Sequence, residues 1–265
     1  MSGKVITITS GKGGVGKTTT TANLSVALAM AGYKTVAIDA DIGLRNLDVV
    51  LGLENRIVYD LVDVVDGVCR LKQAMIRDKR LEGLYLIPAA QTRDKSAISP
   101  ADMVAICQQL RDEYDYILVD SPAGIEQGFQ NALAPADKVI IVTTPEVSAV
   151  RDADRIIGLI EAKEKGPGYL IINRLRPDMV KRGDMLGIDD VLDILGIELI
   201  GVVPDDEAVI ISTNKGVPAT LENNSLASQA FKNVAERVTG KDVPLIELKP
   251  QNSLLERFSK FWNRG

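Results

Sequence analysis

The sequence predicts an α/β fold, a doubly wound and mostly parallel sheet with helices on both faces, followed by a C-terminal amphipathic helix. Short runs rich in valine and isoleucine alternate along the chain with stretches of helical periodicity. These runs lack the polar alternation of a half-exposed strand, which indicates strands buried on both faces between layers of helices. The first run leads into a glycine-rich loop, as expected for a sheet that binds ligands at the carboxyl ends of its strands.

The predicted strands lie at residues 5–9, 35–39, 84–88, 116–120, 138–143, 169–173 and 199–203. The predicted helices include residues 19–31, 100–113, 150–165, 188–195 and 226–238. Pro244 and Pro250 interrupt any regular element near the C-terminal end of the chain. We therefore expect one domain over residues 1–242, a linker over residues 243–252 and a separate helix over residues 253–265.

The composition is that of a globular protein, with 46% hydrophobic and 25% charged residues among 265. The net charge of −5 argues against broad nonspecific DNA binding by the whole surface, although it leaves room for a local basic patch, and no specific nucleic-acid partner is expected. The sequence has no histidine, which excludes a histidine base, nucleophile or metal ligand. Cys69 and Cys107 show no metal or redox spacing, and we expect both to be buried in a reducing compartment. With no signal peptide and no apolar run near the roughly 20 residues that span a bilayer, a cytoplasmic location is expected.

Residues 10–19, SGKGGVGKTT, match the phosphate-binding pattern G-x-x-x-x-G-K-[ST] between a predicted strand and a predicted helix. The glycines allow backbone N–H groups to converge on phosphate oxygens, and the following helix presents its positive N-terminal end. Lys17 would reach the β- and γ-phosphates, and Thr18 would hold Mg²⁺. The predicted nucleotide-binding residues of this loop are Gly11, Lys12, Gly13, Gly14, Val15, Gly16, Lys17, Thr18 and Thr19.

Acidic residues end two further predicted strands. Asp39 and Asp41 lie at the end of strand 35–39, where carboxylates could face the γ-phosphate, the Mg²⁺ or the attacking water. Asp120 ends the apolar strand 116–120, which is the Walker B pattern, and would hold Mg²⁺ directly or through water. Gly124 follows it and could place a backbone N–H near the γ-phosphate. In a chain without a phosphate loop, Asp39 and Asp41 would be read as loop acids that cap their neighbours.

Lys12 is the unusual residue of the loop, because a phosphate loop needs only Lys17. An ammonium group in a glycine-rich loop is costly to bury unless an anion meets it. Two interpretations stay open. Lys12 is either a solvated loop lysine or a lysine that crosses a dimer interface to the partner's nucleotide, where it would neutralise transition-state charge as an arginine finger does.

These residues resemble the deviant Walker A ATPases, the class of P-loop NTPases that contains MinD, ParA and the nitrogenase iron protein. Four further runs are similar to the MinD family within it: DIGLRNLD at 41–48, PAAQTRDK at 88–95, DSPAGIE at 120–126 and RGDML at 182–186. The resemblance extends over nearly the whole chain, including its last helix. It implies a P-loop NTPase fold and an ATPase that positions the bacterial division site, with ATP and Mg²⁺ as cofactors.

The resemblance implies roles for matching positions. Lys12 is similar to the signature lysine that contacts nucleotide across an ATP-dependent homodimer, and Asp41 to the residue that orients the hydrolytic water. With Lys17 they form the expected catalytic set. Asn46 and Gly124 are the expected switch residues on the γ-phosphate side. The expected metal ligands are Thr18, Asp39 and Asp120. The expected contacts to the adenine base are Asn173, Pro204 and Asp206.

The helix after strand 138–143 begins with a charged segment near Glu146. In the family this surface docks the inhibitor MinC and the activator MinE, and Ser148 and Asp152 match positions implicated there. Without the resemblance, the same residues would be interpreted as an ordinary capped and charged helix start.

The last dozen residues place large apolar side chains at helical spacing, with basic residues among the polar positions. A terminal helix docked on the core is one interpretation. The basic polar face, the aromatic residues and the preceding prolines favour anionic membrane lipids, which implies a peripheral location on the cytoplasmic face of the inner membrane. Two tails on one dimer would raise avidity by roughly 10² or more, so dimerisation could control membrane residence. The predicted membrane residues are Leu254, Leu255, Arg257, Phe258, Lys260, Phe261 and Trp262.

Three other functions compete with this prediction. A ParA-like DNA-segregation ATPase would need a basic DNA-binding face and no amphipathic tail. An Fe–S carrier of the same fold would need cluster-ligating cysteines at a dimer interface, and Cys69 and Cys107 lack that spacing. A metabolic P-loop ligase would need a substrate pocket that the sequence does not indicate, and it would leave Lys12 unexplained.

Overall fold

The protein is represented by a computed structural model that describes residues 2–222 and 225–248. Within these residues, eight strands form one sheet in the order β3-β4-β2-β5-β1-β6-β7-β8. Neighbouring strands are parallel except for the edge pair β3 and β4, which is antiparallel. The strands are β1 (Lys4–Thr9), β2 (Thr35–Asp39), β3 (Ile76–Arg77), β4 (Leu84–Ile87), β5 (Tyr116–Asp120), β6 (Lys138–Thr143), β7 (Tyr169–Leu175) and β8 (Glu198–Pro204).

The helices lie between these strands and after the last of them. They are α1 (Lys17–Met30), α2 (Leu47–Leu51), α3 (Leu61–Val65), α4 (Leu71–Ala74), α5 (Pro100–Leu110), α6 (Gln127–Leu133), α7 (Val147–Ala162), α8 (Pro177–Arg182), α9 (Ile188–Leu195), α10 (Glu207–Asn214), α11 (Ala219–Glu222) and α12 (Leu226–Val238). The predicted doubly wound, mostly parallel sheet is therefore confirmed. The short strand β3 was missed, because two residues carry no periodic signal.

Both faces of the sheet are covered by helices. On β1, Ile6 and Ile8 are buried in a cluster with residues of α1 and α12, whereas Val5 is buried in a separate cluster with residues of α5 and α6. A third cluster lies between the sheet and helices α7 and α9. Successive strand residues therefore enter apolar layers on opposite sides, which explains why the strand sequences show no polar alternation.

The position of β1 determines where the loops meet. It lies between β5 and β6, and β2 lies on the other side of β5. The carboxyl ends of β1, β2 and β5 therefore open at one edge of the sheet. Asp39 of β2 is directly opposite Asp120 of β5 in the register. This is the place where a doubly wound sheet binds its ligands.

The predicted linker begins in contact with the domain. Residues 243–248 have no regular secondary structure, as the prolines predict, but Ile246 packs against the α1–α12 cluster and Leu248 against the α7–α9 cluster. Arg237 of α12 donates to the carbonyl oxygens of Val243 and Ile200, at 2.8 Å each. The predicted membrane residues Leu254, Leu255, Arg257, Phe258, Lys260, Phe261 and Trp262 lie outside the described residues.

Phe231→Ala should remove about 3–5 kcal/mol from the free energy of unfolding, because Phe231 is fully buried between α12 and the sheet. Urea denaturation of the nucleotide-free protein measures this loss. Leu226→Ala on the same helix is the matched control, since Leu226 is 56% exposed and should change stability by about 0.5 kcal/mol or less. Similar losses for the two variants would contradict this packing.

Candidate nucleotide site

The phosphate loop connects β1 to α1 and is shaped by glycine. Gly14 and Gly16 have φ angles of 79° and 99°, a region that residues with a Cβ rarely adopt. A Cβ at Gly16 would also lie 2.2 Å from the Asn173 amide nitrogen. At Gly13 and Gly14 a Cβ would meet no atom within 4 Å, so this part of the loop is open. The loop is therefore packed against the protein at one end and accessible where phosphates would lie.

The N-terminus of α1 is suited to an anion. Its first turn carries no acidic residue that would compensate the partial positive charge of the N–H groups. Lys17 is the first helical residue, and its side chain is buried. Burial lowers the pKa of Lys17, and attraction by Asp120 and Asp41 opposes this effect. A phosphate group would add the negative charge that favours the protonated ammonium.

Asp120 and Asp39 are buried neighbours at the ends of β5 and β2. The Thr21 hydroxyl lies 3.0 Å from Asp120 Oδ1 and 3.1 Å from the carbonyl oxygen of Lys17, so its single hydrogen is shared between these two acceptors. Burial raises the pKa of Asp120, and the Thr18 hydrogen bond and the nearby Lys17 charge oppose the rise. Thr18, Lys17 and Asp120 thus come together as the sequence predicted. Thr21 was missed, although it lies one helical turn after Lys17 and Thr18 on the same face.

Asp39 holds the loop that follows β2. Its Oδ1 accepts from the backbone N–H of Asp41 at 3.0 Å, and its Oδ2 accepts from those of Asn46 and Leu47 at 3.0 and 3.1 Å. Burial, followed by repulsion from Asp120, raises the pKa of Asp39. Both carboxylate oxygens are engaged by backbone groups, so Asp39 shapes this loop in addition to any contact with a metal ion.

The predicted switch residues lie on loops beside the phosphate loop. Asn46 precedes α2 and is drawn towards β2 by the Asp39 carboxylate. Arg45 has a φ of 34°, and its Nε lies 3.0 Å from Oδ2 of the buried Asp48. Gly124 donates its backbone N–H to Ser10 at the start of the phosphate loop, at 3.3 Å. Gly124 therefore contacts the phosphate loop directly, whereas Asn46 is tied to the end of β2.

The predicted base contacts have structural partners of their own. The Asn173 amide donates to the carbonyl of Val15 at 2.8 Å and so supports the phosphate loop from behind. Pro204 ends β8. Asp206 caps α10 by accepting from the N–H of Ala208 at 2.9 Å, and its other oxygen accepts from Ala227 at 3.3 Å. Their role in reading adenine stays a prediction.

Lys12 points away from the loop towards the start of α7. Its Nζ lies 3.1 Å from Oγ of Ser148 and 3.8 Å from Oε2 of Glu146. Gly11 approaches α7 so closely that a Cβ would lie 2.2 Å from the carbonyl oxygen of Asp152. The phosphate loop is thus in contact with the predicted partner surface. The contact of Lys12 with Glu146 was not predicted, because nothing in the sequence links two residues more than 130 positions apart.

These residues fit a magnesium nucleotide. Mg²⁺ keeps several waters and binds few protein carboxylates, with phosphate oxygens completing its shell. Thr18 and Asp120 supply a hydroxyl and a carboxylate, and the Thr18 hydroxyl acts to lower the pKa of Asp120. In residues 2–222 and 225–248 no group of three or more His, Cys, Asp and Glu side chains could hold a metal ion. Cys69 and Cys107 are buried free thiols, as expected.

The chain matches the CobQ/CobB/MinD/ParA nucleotide binding domain family over residues 6–219. It is 55% identical to the septum site-determining protein MinD of Synechocystis, with 97% of each chain covered. The chain belongs to the MinD family. It is therefore an ATPase, as its resemblance to the deviant Walker A ATPases predicted. The function of this family is to place the division septum.

Solved structures of MinD proteins share the fold. The MinC:MinD complex of Aquifex aeolicus matches with a TM-score of 0.86 and 50% identity, covering 92% of this chain and 98% of that one. The MinD protein of Pyrococcus horikoshii, solved with Mg-ADP, matches with a TM-score of 0.79 and 33% identity, covering 89% and 95%. A DNA-segregation function is thereby disfavoured.

Over the part of the chain that the structure describes, no helix is both long and apolar enough to cross a membrane.

Thr21→Val should destabilise the nucleotide-free protein by about 1–3 kcal/mol, because it removes a donor from the buried Asp120 carboxylate without changing side-chain volume. Urea denaturation measures the loss. Thr21→Ser retains the hydroxyl and should recover most of the stability. Equal stability of Thr21→Val and the unmodified protein would show that Asp120 does not depend on this hydrogen bond.

Proposed function

We propose that this protein is an ATP-controlled switch on the membrane. With ATP and Mg²⁺ bound, two copies pair face to face, bind anionic lipids through residues 253–265 and recruit MinC. MinE stimulates hydrolysis, after which the dimer separates and leaves the membrane. The family membership supports the ATPase and its role in division-site placement, and the Aquifex structure is that of a MinC:MinD complex.

The position of Lys12 carries this proposal. Lys17 alone serves the phosphates within one chain, whereas Lys12 is 44% exposed and turned to Ser148 and Glu146. A lysine held by a hydroxyl and an exposed carboxylate can exchange these weak contacts for a stronger anion, since exposed ion pairs contribute little. The nucleotide of a second copy would supply that anion. Lys12 would then leave Ser148, so that nucleotide-driven pairing changes the surface offered to MinC and MinE.

Exposed apolar residues around the site support pairing. Leu44 on the loop before α2, Ile125 before α6 and Val147 at the start of α7 are 63%, 54% and 58% exposed. All three belong to segments that adjoin the phosphate loop or its predicted switch residues. Exposed apolar side chains in segments next to the site are the kind of surface that a partner would cover. We infer that a second copy covers this surface when ATP is bound.

The proposed chemistry assigns one task to each polar group. Lys17 and the N–H groups of the loop stabilise charge on the phosphates, and Lys12 of the second copy adds to this in the transition state. Thr18 and Asp120 would hold Mg²⁺, which would supply positive charge to the phosphate oxygens. Asp41 orients the attacking water from its place beside Lys17 and Asp120. Asn46 senses the γ-phosphate from the loop that Asp39 holds.

The membrane step rests on the sequence of the C-terminal residues. Burying five large apolar side chains would give roughly 7–15 kcal/mol at best. Ordering about ten residues costs roughly 10–20 kcal/mol. Three basic residues add about 1 kcal/mol each at an anionic surface. These contributions nearly cancel for one tail, so a single copy binds weakly and a dimer, with two tails, binds firmly.

Lys12→Ala should reduce MinE-stimulated ATP hydrolysis more than tenfold while nucleotide binding persists, because a cation supplied across an interface acts on the transition state and Lys17 remains. Steady-state phosphate release with MinE and anionic vesicles measures the effect. Lys163→Ala, at the far end of α7, is the control for loss of one surface lysine. Equal stimulated turnover in Lys12→Ala and the unmodified protein would rule out the role across the dimer.

Sedimentation with anionic vesicles tests the membrane step. We expect ATP to bring the full chain into the pellet at least about tenfold more than ADP, because only the dimer offers two tails. A chain ending at Asn252 should stay in the supernatant with either nucleotide, while its ATP hydrolysis without vesicles is unchanged. If the fraction of protein in the pellet does not depend on the nucleotide, or does not fall on truncation, the switch is refuted. A DNA gel shift with ATP, expected to be negative, would then be the next test.

A further inference from the structure

A hairpin loop outside the predicted site aims an arginine at two helix ends. The loop between β3 and β4 carries Asp78, which is 1% exposed, and Arg80. The guanidinium of Arg80 donates through Nε and Nη2 to the Asp78 carboxylate, at 2.6–3.2 Å. The backbone N–H of Arg80 also donates to Asp78, at 2.8 Å. A buried carboxylate thus fixes the direction of the guanidinium, which is the geometry that favours arginine over lysine.

The remaining donors of Arg80 bridge two helices. Nη2 donates to the carbonyl oxygen of Leu51, the last residue of α2. Nη1 donates to the carbonyl oxygen of Gly216 at 3.1 Å, just after the end of α10. The Leu51 carbonyl is one of the C-terminal carbonyls of α2, which lack partners within the helix and carry partial negative charge, whereas the Gly216 carbonyl lies two residues beyond α10. Arg80 therefore ties the end of α2 to the turn that follows α10.

The two helix ends touch through glycine. Gly52 follows α2 and Gly216 follows α10, and both have a φ of 64°. A Cβ on Gly52 would lie 2.2 Å from the carbonyl oxygen of Gly216, and a Cβ on Gly216 would lie 2.8 Å from the Cα of Gly52. The backbones are therefore in direct contact, and the clamp formed by Asp78, Arg80 and these glycines leaves the helix ends little freedom to separate.

The other ends of these helices begin at residues to which the proposed function assigns nucleotide contacts. The helix α2 begins after Asn46, the proposed γ-phosphate sensor, and α10 begins after Asp206 of the proposed base loop. We propose that Arg80 is a positioning residue of the ATPase: by joining α2 to α10, it holds the γ-phosphate side and the base side of the site in one binding-competent arrangement. This inference rests on the roles of Asn46 and Asp206 in the proposed function.

Arg80→Gln tests the clamp in the full-length protein. Titration of a fluorescent ATP analogue and its ADP counterpart with Mg²⁺ measures both dissociation constants. We expect the dissociation constant for ATP to rise about 5- to 150-fold, because a smaller fraction of the protein is binding-competent. That for ADP should rise less, since ADP makes no contact on the γ-phosphate side. Arg80→Lys should give dissociation constants between those of Arg80→Gln and the unmodified protein, because an ammonium group cannot donate to two carbonyls in the fixed geometry of a guanidinium. If Arg80→Gln does not fold, Arg80→Lys is compared with the unmodified protein instead.

Arg237→Gln is the matched control. Arg237 also donates to two backbone carbonyls, those of Val243 and Ile200, but it lies on α12 away from the nucleotide loops. Its loss should lower the unfolding midpoint and leave both dissociation constants unchanged. If Arg80→Gln likewise lowers only the midpoint, Arg80 is purely structural and the proposal is overturned.

Two further variants separate this inference from the proposed function. Asn46→Ala and Asp206→Ala should each weaken nucleotide binding in the same titration. If they do so while Arg80→Gln does not, the clamp alone is overturned. If neither changes a dissociation constant, the proposed roles of Asn46 and Asp206 fail, and the purpose assigned to Arg80 fails with them.

Discussion

The pairing of two buried carboxylates, Asp39 and Asp120, is the constraint on which the site depends. They end adjacent parallel strands in register, and burial raises the pKa of both. Three backbone N–H groups act on Asp39, and two hydroxyls and the Lys17 ammonium act on Asp120. Apolar residues would pack here at lower cost, since burying charge carries a large desolvation penalty. In the proposed function these charges are retained because they would create a place for a metal ion and phosphate.

The same hydrogen bonds build the loop that would report on the nucleotide. The chain after β2 bends back so that the N–H groups of Asn46 and Leu47 reach the Asp39 carboxylate. Arg45 takes an unfavourable backbone angle within this bend, and its guanidinium lies against the buried Asp48. Strained residues persist where their surroundings fix them, and they concentrate at functional sites. The charge on Asp39 and the position of Asn46 are therefore coupled by a direct hydrogen bond.

The phosphate loop makes its other contacts through glycine. Gly11 touches α7 at Asp152, and Gly16 touches Asn173 on β7. Because these contacts involve backbone atoms, a rearrangement of the loop must involve α7 and β7 as well. The proposed partner surface on α7 and the phosphate loop are thus two parts of one packed unit. A partner bound at the proposed surface on α7 would therefore act on the phosphate loop through these contacts, without reaching into it.

The sequence by itself determined the features that are local or periodic. The phosphate loop, the strands buried on both faces, the acids at their ends and the helix α12 each lie within one short segment. In such segments the spacing of apolar and polar residues indicates the backbone conformation. Pro244 likewise predicted the loss of regular structure that residues 243–248 show.

Only the tertiary structure decided which distant segments meet. It brought Lys12 to Ser148, placed Thr21 on Asp120, laid Ile246 and Leu248 against the core and joined α2 to α10 through Arg80. These pairings join residues that are far apart in the chain, so no periodic pattern in the sequence predicts them. Each depends on the order of strands in the sheet, which sets the loops that share an edge, and on glycines that let two backbones touch.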